Sequence, residues 1–314
     1  VFEEKRLRVF AAIAREGSVT AAAAALHYAQ PSVSHHLARL EAEAGVPLVQ
    51  RAGRGLRLTA AGRLLADRAE EILGRIDSAR AELAAHAGLQ EGRVRLVAFP
   101  SALAALVPPV AAAFALEHPG VQLALSEAEP PEALAALRRG EADVALAFHH
   151  GAGQPDTYAG HTVIPLLREP LYLLCRPDDG VADPGAGLAA YRDQRWIAGC
   201  ERCRTHLLAT CARHGFTPRI GFETDDYVAA QALVVAGLGV STLPWLALRA
   251  HLNPDVRIHR IPGDHRFVSA VVYGGSPAPA PVRAFLETLT GAIPRPGSWS
   301  PGTHPESRYG SAGQ

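Results

Sequence analysis

The chain has 314 residues, more than one hydrophobic core usually organises, so two or three domains are expected. A hydrophobic fraction of 48% with mean hydropathy near zero describes a water-soluble globular protein, and no apolar run approaches the roughly eighteen residues of a membrane span. The 31 basic and 31 acidic side chains cancel, so any strongly charged patch must be local. The opening residues Val1-Phe2-Glu3-Glu4-Lys5-Arg6 lead into a charged helix without a signal-peptide core. The expected compartment is the cytoplasm, where the four cysteines should stay reduced.

Leu7, Phe10, Ala11 and Ala14 recur at helical spacing, which predicts an amphipathic helix over residues 4–16 that Gly17 ends. Ser18 can cap a second, small-sided helix that starts Val19-Thr20-Ala21-Ala22, and Leu26-His27-Tyr28 makes a turn. A third helix opens with Pro31 in its first turn, where a missing amide costs nothing, and buries Val33, Leu37 and Leu40. Its outward face carries Pro31, Ser34, His35 and Arg39, with Gln30 and Ser32 at the edges. Gln can pair with adenine, Ser with several base edges, and Arg with guanine or phosphate. Alone, such a helix would fit an ordinary amphipathic surface helix equally well.

The segment that follows tips the balance. Gly45 closes the helix, and residues 48–59 read as two short strands around a Gly/Arg turn. Between Ala44 and Ala66 stand Arg51, Arg54, Arg57 and Arg63 and no acid. A basic tip on a balanced protein is a phosphate-contact footprint, so the unit reads as a winged helix-turn-helix that binds double-stranded DNA.

These positions resemble the LysR-type transcriptional regulators. The matching residues are Leu7-Arg8-Val9-Phe10, Gly17-Ser18, Ala21-Ala22, Leu26, Gln30-Pro31-Ser32-Val33-Ser34, Leu40-Glu41, Gly45, Leu48, Arg51 and Leu58-Thr59-Ala60-Ala61-Gly62. Ala29 departs from the family's usual Ser, which removes an N-cap worth about 1 kcal/mol, and Val49 stands in place of its usual Phe. The resemblance implies a non-enzymatic regulator without a cofactor, a homodimer or homotetramer on promoter DNA with an interrupted palindrome. It also implies control by a small-molecule effector, with RNA polymerase as a further candidate partner and no membrane role.

Thr59 caps a long helix reaching Ala87, whose Leu65, Ala69, Ile72, Ile76, Ala79 and Leu83 alternate steps of four and three like a coiled-coil seam. The alternative is packing on its own domain. In the resembled family this helix pairs two subunits, which makes Leu65, Ile72, Ile76 and Leu83 candidate dimer contacts. Gly88 to Gly92 reads as a hinge. Strands at 94–99, 121–127 and 143–148 then alternate with helices at 101–117 and 131–139, giving a mostly parallel sheet. A strand, turn and strand follow over 162–176, with strands at 196–198, 219–222 and 240–243 and helices at 203–214 and 226–236. A strand at 266–273 and a helix at 281–291 complete the body.

The expected fold class is therefore α/β: a winged helix-turn-helix over 1–62, a coiled-coil linker helix and hinge over 63–91, and a regulatory domain over 92–293. The resemblance gives that domain two lobes like a periplasmic binding protein, at 92–164 with 266–293 and at 165–265. Residues 294–314, rich in Pro, Gly and Ser, are expected to be disordered.

Ligands of open α/β sheets bind beyond the carboxyl ends of strands, here a crevice between the lobes. Three strand ends face it: Pro100-Ser101, where helix amides would attract an anion, Ser101 serving equally well as a plain N-cap, Phe148-His149, and Cys200 with Arg202. In the resembled family a cationic residue at the position matching Phe148 implies acidic effectors; Phe148 departs from that pattern, so an apolar or aromatic contact is expected there. The run Cys200-Glu201-Arg202-Cys203, with His206 and Cys211, could form a metal or redox site. The favoured reading is small buried cysteines on a core-facing helix, with no metal. An enzyme would need a nucleophile elbow, phosphate loop or metalloprotease motif that is not present, and an exported solute-binding protein would have no use for an Arg-rich wing.

Overall fold

A computed structural model describes residues 2–52, 55–86, 92–151, 155–178, 184–274 and 278–293. The predicted wing residue Arg54, most of the hinge and the tail from 294 lie outside the described residues.

Three helices, α1 (Glu4–Glu16), α2 (Val19–Leu26) and α3 (Gln30–Ala44), pack around Phe10, Ile13, Val33 and Leu40, all essentially without solvent exposure. Gly17 and Gly45 end α1 and α3 in the left-handed conformation that a side chain would disfavour. Ser18 accepts the Ala21 amide at 3.0 Å, as its spacing predicts, whereas Ala29 offers α3 no side-chain cap. Strands β1 (Val49–Ala52) and β2 (Gly55–Leu58) pair antiparallel as the wing. Glu41 holds their base, its Oε1 accepting the amides of Leu48 at 2.8 Å and Val49 at 3.2 Å. Thr59 Oγ1 accepts the Gly62 amide and so caps α4 (Ala60–His86). A Cβ at Gly62 would collide with the Leu48 carbonyl, so only glycine lets α4 start this close to the wing.

The regulatory body is one eight-stranded sheet in the order β4-β3-β5-β10-β6-β9-β7-β8. Two parallel trios form its wings, β4 (Gln122–Glu127), β3 (Arg93–Ala98) and β5 (Val144–His150) on one side, and β9 (Val240–Pro244), β7 (Arg195–Ala198) and β8 (Arg219–Glu223) on the other. The long antiparallel strands β6 (His161–Cys175) and β10 (Arg257–Tyr273) join them. Helices α5 (Pro100–Ala105), α6 (Val107–Glu117), α7 (Pro130–Arg138), α8 (Glu201–Arg213), α9 (Tyr227–Val235), α10 (Trp245–Ala250) and α11 (Ala280–Gly291) cover the sheet.

Three expectations need correction. The single helix expected at 101–117 breaks at Leu106, because Pro108 and Pro109 have no amides to continue the hydrogen-bond ladder. The expected strand, turn and strand at 162–176 is one continuous strand, because β10 pairs with it along nearly its whole length. For the same reason β10 starts at Arg257 rather than 266, with a register shift between Arg260 and His265 absorbing the irregularity. Helix α10 was not anticipated at all; its Trp245 and Leu246 are fully buried in the core shared with α5 and α6.

Candidate DNA-reading face and effector crevice

The apolar row of α3 is buried, so its other face is presented outward by helical periodicity. Gln30, Pro31, Ser32, Ser34, His35 and Arg39 are all exposed, and so are Arg51 and Arg57 on the wing. The sequence-predicted reading face is thus brought together as one surface, with hydrogen-bonding side chains standing on a rigid, core-backed helix.

On α4 the predicted seam divides. Ala66, Ala69 and Leu73 are buried in the core of the helix-turn-helix, and Leu65 packs against the same cluster. The heptad frame therefore fails at Leu65 and Ala69, which serve their own domain. The stripe leaves that core one turn later: Ile72 is 39% and Leu83 69% exposed, Ala79 is exposed and Ile76 half-buried. Ion pairs fasten the helix to α1, Arg80 to Glu4 at 2.8 Å and Arg8 to Asp77 at 3.0 Å. Gly74 meets the regulatory body, since a Cβ there would lie 2.5 Å from the Arg138 carbonyl oxygen.

The crevice forms where the predicted strand ends converge. Phe99, Pro100 and Ser101 after β3, Phe148 on β5, Gly199, Cys200 and Cys203 after β7, and Thr242 to Pro244 on β9 line it, with Glu129, Asp225 and Tyr227. Ser101 is buried, and its hydroxyl accepts a hydrogen bond at 2.9 Å from Arg266, a residue that sequence reasoning missed. Arg266 lies on β10, its guanidinium 4.7 Å from the ring centre of Phe99 and 4.4 Å from that of Phe148. Its Nε donates at 2.6 Å to Glu169 on β6, whose other oxygen accepts the Leu246 amide at 2.7 Å. Burial pushes the Glu169 carboxyl up, and Arg266 and the Leu246 amide pull it back.

The expected open anion seat at Ser101 is therefore filled by the protein's own Arg266. A cation therefore stands beside Phe148 after all, delivered from the paired strand β10. One signal was available: Arg266 stands at the head of the run Phe267-Val268-Ser269-Ala270-Val271-Val272, and strand alternation puts it on the same face as the core residues Val268, Ala270 and Val272. Burial also raises the Glu129 carboxyl, whose Oε2 has no partner, so the crevice holds an acceptor as well as a donor.

His149 does not line the crevice. Side chains alternate along a strand, so Phe148 faces the crevice while His149 turns to the opposite face, stacked on Phe267 with ring centres 5.2 Å apart. His150 alternates back and stacks on His206 of α8 at 3.9 Å, with both of its ring nitrogens buried and unpartnered. Burial, aided by the neighbouring His206, Arg266 and Arg202, drives its pKa down to about 2. His206 in turn bonds Asp264 on β10 at 2.7 Å. Arg202 spans the crevice edge, donating at 3.3 Å to the Phe148 carbonyl.

The buried-cysteine reading holds for Cys211, which is buried and whose thiol burial pushes to about 11. It fails for Cys200 and Cys203, which are half-buried crevice residues with sulfurs 3.1 Å apart. The cause is that α8 begins at Glu201, two residues earlier than expected, so both thiols fall in its first turn. Among the described residues no group of three His, Cys, Asp or Glu is arranged to hold a metal ion.

A helix-turn-helix whose third helix exposes a polar face beside a two-stranded wing, joined by a long helix to a two-winged α/β body with a polar crevice, defines a DNA-binding transcriptional regulator with an effector-binding domain. The chain belongs to the LysR family. Residues 5–63 match the bacterial regulatory helix-turn-helix protein, lysR family, and residues 87–293 match the LysR substrate binding domain. It is 28% identical to the probable HTH-type transcriptional regulator LrrA of Synechococcus elongatus, over 92% of this chain and 97% of that one. It is 30% identical to the HTH-type transcriptional regulator YfeR of Shigella flexneri, over 82% and 83%. Among solved structures, full-length CbnR complexed with its target DNA superposes with a TM-score of 0.59 at 25% identity, covering 93% of this chain and all of that one.

Proposed function

We propose that Gln30, Ser32, Ser34, His35 and Arg39 read base edges in the major groove, with Pro31 fixing the helix start, while Arg51, Arg54 and Arg57 hold the flanking phosphates. The observation that carries this is the exposed polar face of α3 over its buried apolar row. Two such heads, brought together by the exposed stripe of α4 from Ile72 to Leu83, address two half-sites of a promoter. The work is done in the cytoplasm; no single described helix is long and apolar enough to cross a membrane.

The crevice takes a small effector that lies over a floor formed by Phe99 and Phe148, which are almost without solvent exposure, and exchanges hydrogen bonds with Arg266 and Glu129. Because Glu169 already balances Arg266 and Glu129 adds an acceptor, the pocket suits a ligand with both donor and acceptor groups better than a simple anion. Such a ligand changes promoter response by binding one arrangement of the lobes more tightly than another.

The test of the reading face starts from duplexes enriched out of a random pool by the full-length protein. Gln30→Ala or Ser34→Ala should cost about 1 to 3 kcal/mol on the selected duplex and little on random DNA, and should relax one base position per half-site. Arg51→Ala should weaken binding to both alike. Equal losses on both duplexes for the Gln30 and Ser34 variants would remove α3 as the reader.

A further inference from the structure

The DNA-reading face and the crevice's hydrogen-bonding groups leave one chemical feature unused, the pair Cys200 and Cys203. Cys200 is the N-cap of the thirteen-residue α8 and Cys203 lies three residues on, so helical spacing puts both thiols on one side of the first turn. Their sulfurs are 3.1 Å apart with nothing between them. Gly199 allows this, since a Cβ there would come within 3.2 Å of the Cys203 Cβ. Both thiols line the crevice, within reach of small molecules, whereas Cys175 and Cys211 are buried in the core of the other face.

The two thiols differ in character. The hydrogen bonds that Cys200 receives from the Cys203 side chain and amide pull its thiol down. The same contact, together with burial, pushes the Cys203 thiol well up. One sulfur suited to attack and one held as its thiol beside it is the division of labour of a dithiol couple.

We propose that Cys200 and Cys203 form a reversible dithiol–disulfide couple that reacts with small-molecule disulfides. The Cys200 thiolate attacks one sulfur of the small disulfide, forming a mixed disulfide and releasing the first small thiolate. Cys203 Sγ gives up its proton and attacks Cys200 Sγ; the Cys200–Cys203 bond forms and the second small thiolate leaves. Both small thiolates end as thiols, carrying the two protons of the cysteines, and the two electrons pass from the protein pair to the small disulfide. Excess small thiol runs the sequence backwards.

Bond formation needs the sulfurs to close by about 1 Å. That movement is in the turn that carries Arg202, whose guanidinium holds the Phe148 carbonyl at 3.3 Å and lies 5.8 Å from its ring centre. Oxidation therefore resets the link between α8 and β5 at the crevice edge. This consequence rests on the reading that the crevice governs the DNA response; the couple itself does not.

The experiment equilibrates the full-length protein in glutathione and glutathione disulfide mixtures from reducing to oxidising, then quenches, alkylates free thiols and maps the peptides by mass. The wild type should lose two alkylatable thiols and two hydrogens, with the bond between Cys200 and Cys203. Cys203→Ser should stop at a glutathione adduct on Cys200, and Cys211→Ser should behave as wild type. Four free thiols in the most oxidising mixture, or a bond to Cys211 or to a second chain, would overturn the couple. In parallel, reduced and oxidised protein are footprinted on the selected duplex. A change seen in wild type and lost in the Cys200→Ser/Cys203→Ser double variant supports the crevice link. A formed bond with an unchanged footprint overturns that link alone.

Discussion

The proposed reading face of α3 and the proposed effector crevice are both polar surfaces, built in opposite ways. Gln30, Ser32, Ser34, His35 and Arg39 are near neighbours in sequence, exposed, and arranged by one helix over a buried apolar row. The crevice collects Ser101, Glu129, Phe148, Cys200, Thr242 and Arg266 from distant segments, and its charged centre is buried and paired within the protein. A solvated surface loses little when one side chain is removed. A buried network loses much, because each group's desolvation is offset only by its partner.

The sharpest way to test that contrast is to remove Glu169. Glu169→Ala leaves Arg266 buried without its carboxylate, and the loss should be about 3 to 5 kcal/mol, read as a lowered Tm of the regulatory domain's unfolding transition. Glu169→Gln should recover part of it, through the amide oxygen. A Tm unchanged in Glu169→Ala would mean that the crevice is as solvated as the reading face.

Next in size is the division of α4. Ile72→Asp with Ile76→Asp should leave the helix-turn-helix core folded, since Ile72 is 39% exposed within one chain, yet make the protein monomeric by several kcal/mol. Ala69→Asp, at a position without solvent exposure, should instead unfold the DNA-binding head. Light scattering and circular dichroism separate the outcomes. An unchanged mass for the double Asp variant would show that the exposed stripe pairs nothing.

The smallest effect concerns pH. His150 has its folded pKa pushed down to about 2 from an ordinary value of 6.5, so below 6.5 the unfolded chain takes up a proton that the folded chain refuses. Stability should therefore fall as pH falls through 6.5 and continue falling toward the folded value, by on the order of 1 kcal/mol per pH unit for this group. His150→Phe keeps a ring against His206 and should flatten the Tm profile between pH 6.5 and 4.5. Parallel profiles for the two proteins would place the acid sensitivity elsewhere.

The sequence by itself determined the DNA-binding head. Helical period, the Ser18 and Thr59 caps, the Gly17 and Gly45 stops and the local arginines are all short-range signals, and a helix exposes whatever its apolar row leaves outward. It also determined that the strand ends at Pro100, Phe148 and Cys200 would meet. Which side chains face the meeting point was decided only by the tertiary structure. Strand pairing brought Arg266 beside Phe148 from more than a hundred residues away and filled the seat at Ser101, while strand alternation turned His149 out and His150 in. An α8 start two residues early set Cys200 against Cys203, and packing against α1 took Ala69 out of the proposed dimer stripe. The placing of Arg266, His149 and His150 depends on register between strands far apart in the chain, where a shift of one residue reverses which face a side chain occupies.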